Sequence, residues 1–434
     1  MSQPLEQHGG VAEAFRSRGF RGFFFLWLSE FLSSFASEIT RFAYGVLIWK
    51  QTGSVTSFAL AILLSALPPL VFGPLIAPLI DRNSKRLALL VGFAGLFAAT
   101  GVLIAFNHFG EVTTPHLYVY VIVSSLLLEI VVPALLVSMR FLVAPRHLSV
   151  ATGMTQSGMA VSKIAAPLAG AALLTFCDFG TILIMDLVTF AIPIIYVIFA
   201  PIDWQVMTPE TGGGVPLRGH SSVFASAFAS IKEGYTWIKN DHACTTLTAL
   251  LFINNVFSGA FVAVFTPFLL TVGSLEILSK TNALAGVGAL IGSVIVTIWG
   301  GRRRESSLVL IAVGLTGLAG CAIGILKAYV FPLMLFATLR AVLAPVINSS
   351  SHVFWMKRTP IHMQSRIWAA RRMIVWGAFP IAQSVVGPLT ERGFAPFFDP
   401  IFGVGGGLAV VIFCSGLLQI LGTLALGDRL KKAL

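Results

Sequence analysis

Seven ionisable side chains lie inside otherwise apolar stretches, and they are where this sequence could do chemistry: the acids Glu30, Glu38, Glu129 and Asp186 and the bases Arg41, Lys163 and Arg340. A charge in such a setting is costly, so each is expected to face a wet cavity or a partner. Four acids against three bases leave one carboxylate over. A carboxylate held in a low-dielectric cavity without a cation can take up a proton near neutral pH, which is the chemistry of a proton carrier. Glu30 and Glu129, both near mid-depth of their stretches, are the first candidates, with Asp186, in the outer half of its own, the third. Arg340 would be their counter-ion or a contact for an acidic ligand. Against this, Glu38 with Arg41, and Asp186 with Lys163, read more simply as structural ion pairs.

Polar neighbours extend the set. At 100° per residue, Glu30, Ser34, Ser37, Glu38 and Arg41 fall within a sector of about 100°, so one face of that helix is polar. Gln156 shares the face of Lys163, Asn348 lies on the side of Arg340, and Asn254 and Asn255 occupy another apolar run. With Trp27, these residues are the candidate cavity lining. The sequence has no Walker lysine loop, no H-E-x-x-H and no G-x-S-x-G, so neither nucleotide hydrolysis nor metal or serine chemistry is recognisable, and no cofactor or metal is expected. Cys177, Cys244, Cys321 and Cys414 have no paired spacing and read as buried free thiols.

The elements that hold these groups follow from composition. Of 434 residues, 56% are hydrophobic and 11% charged, with a mean hydropathy of +0.88, whereas soluble domains run near a quarter charged. An ordinary soluble enzyme is excluded. Apolar runs at 22–49, 54–80, 87–107, 116–142, 147–175, 179–200, 243–271, 281–299, 306–326, 329–356, 366–390 and 401–427 predict an all-α membrane protein of twelve spans. The first run exceeds what a crossing requires, so tilt or protrusion is expected. The net charge of +11 is localised: one side of this topology receives 22 of the 29 basic residues, and the other holds only Lys50, Lys280, Lys327 and Arg392. That asymmetry places both termini in the cytoplasm and removes the reason to look for a nucleic-acid partner. The first twenty residues are polar and basic without an apolar core, so no cleavable signal is expected.

The chain divides near its midpoint. Residues 1–200 form a first bundle of six spans, 201–241 a linker with a glycine-rich turn at 212–214, and 242–434 a second bundle of six. Phe224, Phe228, Ile231, Tyr235 and Ile238 recur at helical spacing at the linker's end and predict an interfacial amphipathic helix. The halves echo one another: VAPRHLSVATG from 143 and RTPIHMQSRIWA from 358 align Pro145 and His147 with Pro360 and His362 at an offset of 215, close to half the length. A parallel duplication is expected, with a substrate bound between the two bundles.

GPLIAPLIDRNSKR, at 73–86, resembles the loop motif of the major facilitator superfamily. Asp81, Arg82, Lys85 and Arg86 match it, while Ala77 and Ser84 stand where that family carries glycine. The resemblance implies charge pairs that hold the cytoplasmic side shut and release as the bundles move; the alternative is a plain positive anchor. GMTQSGMAVSKIAAPLAGAA, at 153–172, resembles the fifth-helix motif of the superfamily's antiporters, with Gly153, Ser162, Ala166, Pro167, Gly170 and Ala171 keeping small size or the proline. Small residues allow close approach of helices and the proline bends the chain at the bundle interface. The opening FFFLWLSEFLSSFASEITRFAYGVLIWKQTGS, MDLVTF at 185–190 and RIWAARRMIVWGAFPIAQSVVGPLTERG at 366–393 resemble the branch that contains macrolide-efflux and siderophore-export transporters. The branch implies a monomeric drug:proton antiporter of the bacterial inner membrane, surrounded by lipid, exporting an amphiphilic small molecule on the proton gradient. Two further readings keep less of it: a lipid or lysolipid translocator or uniporter of the same fold, and a membrane scaffold that transports nothing.

Overall fold

Long apolar runs leave the backbone one way to satisfy its N–H and C=O groups locally, and they become helices. The computed structural model describes residues 15–82, 84–110, 112–144, 147–200, 202, 204, 231–299, 305–360 and 363–432. In chain order the helices are α1 (Arg18–Thr52), α2 (Val55–Arg82), α3 (Lys85–Phe109), α4 (Thr114–Leu142), α5 (Leu148–Phe176), α6 (Phe179–Phe199), α7 (231–240), α8 (His242–Val272), α9 (Leu275–Trp299), α10 (Glu305–Ile325), α11 (Val330–Arg358), α12 (Gln364–Pro388), α13 (Ala395–Phe402) and α14 (Gly406–Lys432). A π-helical turn, Leu389–Phe394, carries α12 into α13 where the sequence suggested only a loop. Twelve of the described helices coincide with the twelve predicted spans, and eleven of them are long and apolar enough to cross a membrane. The twelfth is α1, whose Glu30, Glu38 and Arg41 lower its hydropathy. Its 35 residues reach about 50 Å, well beyond a bilayer's core.

Packing separates the described chain into two units. One takes the residues up to Leu47 and those from Leu64 through α6; the other takes Ile48–Leu63 and everything from α7 onward. The first is centred on Leu26, Leu89, Phe93, Leu96, Val131 and Phe190. The second is centred on Leu247, Leu251, Val309, Val313, Phe354 and Trp355. Outward faces remain apolar, as at Val102, Val119, Ile195, Leu318 and Leu424, which suits hydrocarbon and not water. The first turn of α2 belongs to the second unit because Glu391, on the π-helical turn, caps it: its carboxylate accepts from the Thr56 N–H at 3.1 Å and the Thr56 hydroxyl at 2.6 Å. Gly387 makes room, since a Cβ there would stand 2.6 Å from the Thr56 Cα.

The duplication is visible at one pair of turns. Val143 caps α4 by donating to the Met139 carbonyl at 3.0 Å, and Thr359 caps α11 by donating to Trp355 at 2.9 Å. His147 then precedes α5 with φ −109°, ψ 0°, and Met363 precedes α12 with φ −110°, ψ 0°. These equivalences run at an offset of 216, one residue from the register in which the prolines align. His147 therefore corresponds to Met363. His362 and Pro145 lie outside the described residues.

Within the linker, α7 docks on protein. Ile231, Trp237 and Ile238 pack on the second unit's core, Tyr235 stays exposed, and Gly234 lets the helix touch the backbone at Arg366. Phe224 and Phe228 lie outside the described residues. Ion pairs Glu233 to Arg366, Asp241 to Arg358 and Glu305 to Lys357 tie α7, α8, α10, α11 and α12 together at this end.

Asp241 also caps α8, accepting from the Cys244 N–H at 2.9 Å while its other oxygen accepts from Arg358 at 2.9 Å. Burial pushes this carboxyl up, but the Cys244 N–H and Arg358 outweigh it and hold it below the usual aspartate range. Asp241→Ala is expected to lower stability by about 1 kcal/mol at neutral pH, the worth of a lost cap with a half-exposed ion pair. Because the folded state holds this carboxyl below its unfolded value of about 3.9, the wild-type advantage is complete above that pH and disappears as the pH falls through the depressed folded value. Heating curves followed by tryptophan fluorescence at several pH values check this, and a pH-independent difference contradicts it.

Candidate functional site

In the first unit, the polar face of α1 meets α6 at Asp186. Asp186 is fully buried; it accepts from the Ser37 hydroxyl at 3.0 Å, the Thr40 and Tyr120 hydroxyls stand beside it, and its second oxygen has no partner in bonding geometry. Among the described residues no cation pairs with it: Lys163 lies exposed on α5 and forms no ion pair there, so the pairing expected of the two is not formed. Next to Asp186 a cavity of about 20 Å³ is walled by Ser37, Arg41, Tyr44, Tyr120 and Ser124, room for about one water. Arg41 pairs instead with Glu38 at 3.3 Å, one helical turn away on α1.

The two carboxylates favoured from the sequence have other surroundings. Glu30 is half-buried and accepts from Ser34 at 2.6 Å. Glu129 is half-buried on α4, four residues before the Pro133 inside that helix, and lies against Gly73 of α2, where a Cβ would come 2.6 Å from its Oε1. Trp27 stacks on Phe31 with ring centres 5.6 Å apart, part of an aromatic run along α1. The small residues of α5 serve that run: Gly158 faces Trp27 and Phe31, and Gly170 faces Phe42. Ser162 is buried, its hydroxyl without a partner, and Pro167 sits inside α5. The side chain of Gln156 and the surroundings of Gly153 lie outside the described residues.

The loop motif falls only in part among the described residues. The side chains of Asp81 and Arg82 lie outside the described residues, and Lys85 is buried at the start of α3. Arg86 donates to the carbonyls of Val197 at 3.3 Å and Ile198 at 2.8 Å. It thus caps the last turn of α6, a structural task within its own unit that the motif did not suggest.

In the second unit, Arg340 on α11 is 8% exposed and entirely among neutral groups. It donates to the Thr316 carbonyl at 2.7 Å and to Gln419 at 3.4 Å, and its guanidinium lies 3.9 Å from the centre of the Phe261 ring. Gln419 on α14 is fully buried and passes the contact on, its Nε2 reaching Ser258 at 3.1 Å and Asn254 at 3.3 Å. Asn254 in turn donates to Asn255 at 3.1 Å, and Asn255 to the Val375 carbonyl at 2.8 Å. Asn254, Asn255, Asn348 and Arg340 share one cavity of about 330 Å³ with Phe261, Phe265, Trp376 and Phe379.

Two members were missed from the sequence. Gln419 carried a usable signal, a polar residue within an apolar run. Arg371 counts, with Arg372, among the 22 basic residues that the topology puts on the cytoplasmic side, but it is 8% exposed; it donates to Ser351 at 2.7 Å and lies 5.3 Å from the Trp355 ring centre and 5.0 Å from that of Trp368. Nothing in the local pattern separates it from its exposed neighbour.

The Major Facilitator Superfamily profile matches residues 26–383. Macrolide efflux protein A of Streptococcus pyogenes is 22% identical over 366 residues, 83% of this chain and 87% of that protein. Macrolide efflux protein A of Enterococcus faecalis is 22% identical, over 74% of this chain and 96% of its own length. Among solved structures, a POT family transporter in complex with 5-aminolevulinic acid superposes with a TM-score of 0.72 over 98% of both chains at 12% identity. A bacterial homologue of the iron transporter ferroportin gives 0.68 over 94% of this chain and 98% of that one at 14% identity. These structural likenesses speak for the fold.

The Gln419 node supplies a test of the second unit's packing. Gln419→Leu strips acceptors and donors from Arg340, Asn254 and Ser258 at once and is expected to cost about 2–3 kcal/mol. Gln419→Glu, which keeps the acceptor and adds a charge for Arg340, is expected to retain most of that stability. Thermal unfolding in detergent reads both, and an unchanged midpoint for Gln419→Leu contradicts the network.

Proposed function

Since the chain belongs to the Major Facilitator Superfamily, and is accordingly a multi-pass membrane transporter and not an enzyme, we propose that it exports an amphiphilic small molecule, of macrolide or siderophore type, in exchange for protons. The relatives named for macrolide efflux support the direction of transport. One observation carries the proton: Asp186, buried with no cation paired to it among the described residues and set among the hydroxyls of Ser37, Thr40 and Tyr120, of which Ser37 and Tyr120 also wall a water-sized cavity. Holding that carboxylate charged is expensive, and a proton relieves the expense. Charged, it favours states in which water reaches it; protonated, it tolerates states in which water does not. That difference couples protonation to a conformational equilibrium, which is what exchange requires. Asp186 therefore takes precedence over Glu30, which is half-buried and accepts a hydrogen bond from Ser34. The positive excess on one side supports a topology in a bacterial inner membrane with both termini in the cytoplasm.

Everted membrane vesicles acidified inside test the proposal against a panel of macrolides and siderophores. The wild type is expected to accumulate at least one member in a gradient-dependent way. Asp186→Asn should lower that accumulation roughly tenfold or more, the range in which a missing proton-transfer group acts, while Glu30→Gln and Glu129→Gln retain the larger share. Full accumulation by Asp186→Asn contradicts the assignment, accumulation indifferent to the gradient makes the protein a uniporter, and activity on lysolipid alone makes it a lipid translocator.

A further inference from the structure

The cavity around Arg340 has a neighbour. A second chamber, of about 410 Å³, lies around Arg371 and shares Asn255, Ile347, Asn348 and Trp376 with the first, whose volume is about 330 Å³. Between them the walls carry Arg340, Arg371, Arg372 and His352 and, among the described residues, no aspartate or glutamate. Two of these cations are more than nine-tenths buried. Among the described residues neither has a carboxylate: Arg340 meets a carbonyl, an amide and a ring, and Arg371 meets one hydroxyl and two rings, with its buried Nε left without a partner. A guanidinium has five donors in a planar fork, and desolvating it without an anion is costly. The group that would lower that cost is a planar or tetrahedral oxyanion able to accept two donors together.

The rest of the lining fixes the other end of such a ligand. Trp376 and Phe379 stack with centres 5.6 Å apart at 20°, and Phe261 and Phe265 at 4.6 Å and 23°, leaving flat apolar faces beside the two cations. An ammonium-bearing ligand gains the same faces but meets two desolvated positive charges and no acid, a difference that selects against it. We propose that the two chambers form one site in the second unit for an acidic amphiphile, an oxyanion joined to a flat apolar body, with Arg340 and Arg371 receiving the acid. As the identity of the exported substrate this rests on the export reading above and narrows it to the acidic, siderophore-type side, away from basic macrolides. As a binding site it stands by itself.

Three probes of one shape test it: 1-pyrenebutyrate, its methyl ester and 1-pyrenebutylamine, titrated into the full-length protein in lipid nanodiscs and read by energy transfer from tryptophan, with empty nanodiscs as the partition blank. The acid is expected to bind at least tenfold more tightly than ester or amine, since a charged hydrogen bond accounts for about that factor. Arg371→Gln and Arg340→Gln should each lower affinity for the acid about tenfold and leave the ester unchanged, which also shows that the site is still folded. Should Arg340→Gln fail to fold, Arg340→Lys keeps the charge, loses the fork and should weaken the acid alone. Equal affinities for the three probes, tighter binding of the amine, binding of none, or a loss shared by ester and acid in the variants each overturn the proposal. Acid preference without gradient-driven export removes the exchange reading and leaves this site, whereas gradient-driven export without acid preference does the reverse.

Discussion

Burying a charge with no opposite charge beside it is the constraint on which this molecule turns. In a protein that is 56% hydrophobic, an uncompensated ion inside the helices is a standing cost of several kcal/mol that packing must carry. Elsewhere the fold avoids it: Arg41 has Glu38, Arg358 has Asp241, Lys357 has Glu305 and Arg366 has Glu233. Asp186, Arg340 and Arg371 stand apart from that habit, given hydroxyls, amides and aromatic rings in place of counter-ions.

The packing explains how they are held. Asp186 depends on α1, whose polar sector turns Ser37 toward α6 while its aromatic run seats against the glycines of α5. Arg340 depends on Gln419, a fully buried amide that answers to α8 and α11 together. Among the described residues the fully buried ion without a counter-ion in the first unit is the carboxylate of Asp186, and those more than nine-tenths buried in the second are the guanidinium groups of Arg340 and Arg371. A carboxylate can lose its cost to a proton, whereas a guanidinium, which does not deprotonate, can lose it only to an anion. On the export proposal, the first unit would carry coupling and the second recognition.

Much of this was legible beforehand, for definable reasons. Hydropathy marks helices because the membrane leaves the backbone no other choice, and all twelve long helices fall on apolar runs. The expense of intramembrane charge singled out seven groups in the sequence, with Glu30 and Glu129 ahead of Asp186 as proton carriers and Arg340 as their partner. What periodicity could not supply was burial on a helix where one of two adjacent arginines, Arg371, is sequestered and the other, Arg372, stays exposed. Nor could it rank three acids, because that ranking depends on partners from other helices: Ser34 for Glu30, Gly73 packing for Glu129, and no cation for Asp186. The Glu391 cap on α2 spans 335 residues and leaves no local trace.

Exchange by the proposed route requires Asp186 to hold the transported proton. Proteoliposomes loaded with a pH-sensitive dye and a transported substrate, then diluted into substrate-free medium, measure it directly. Outward substrate flow through the wild type should draw protons inward, and Asp186→Asn should still exchange labelled for unlabelled substrate while moving no protons. Proton movement by Asp186→Asn at the wild-type rate would contradict the claim.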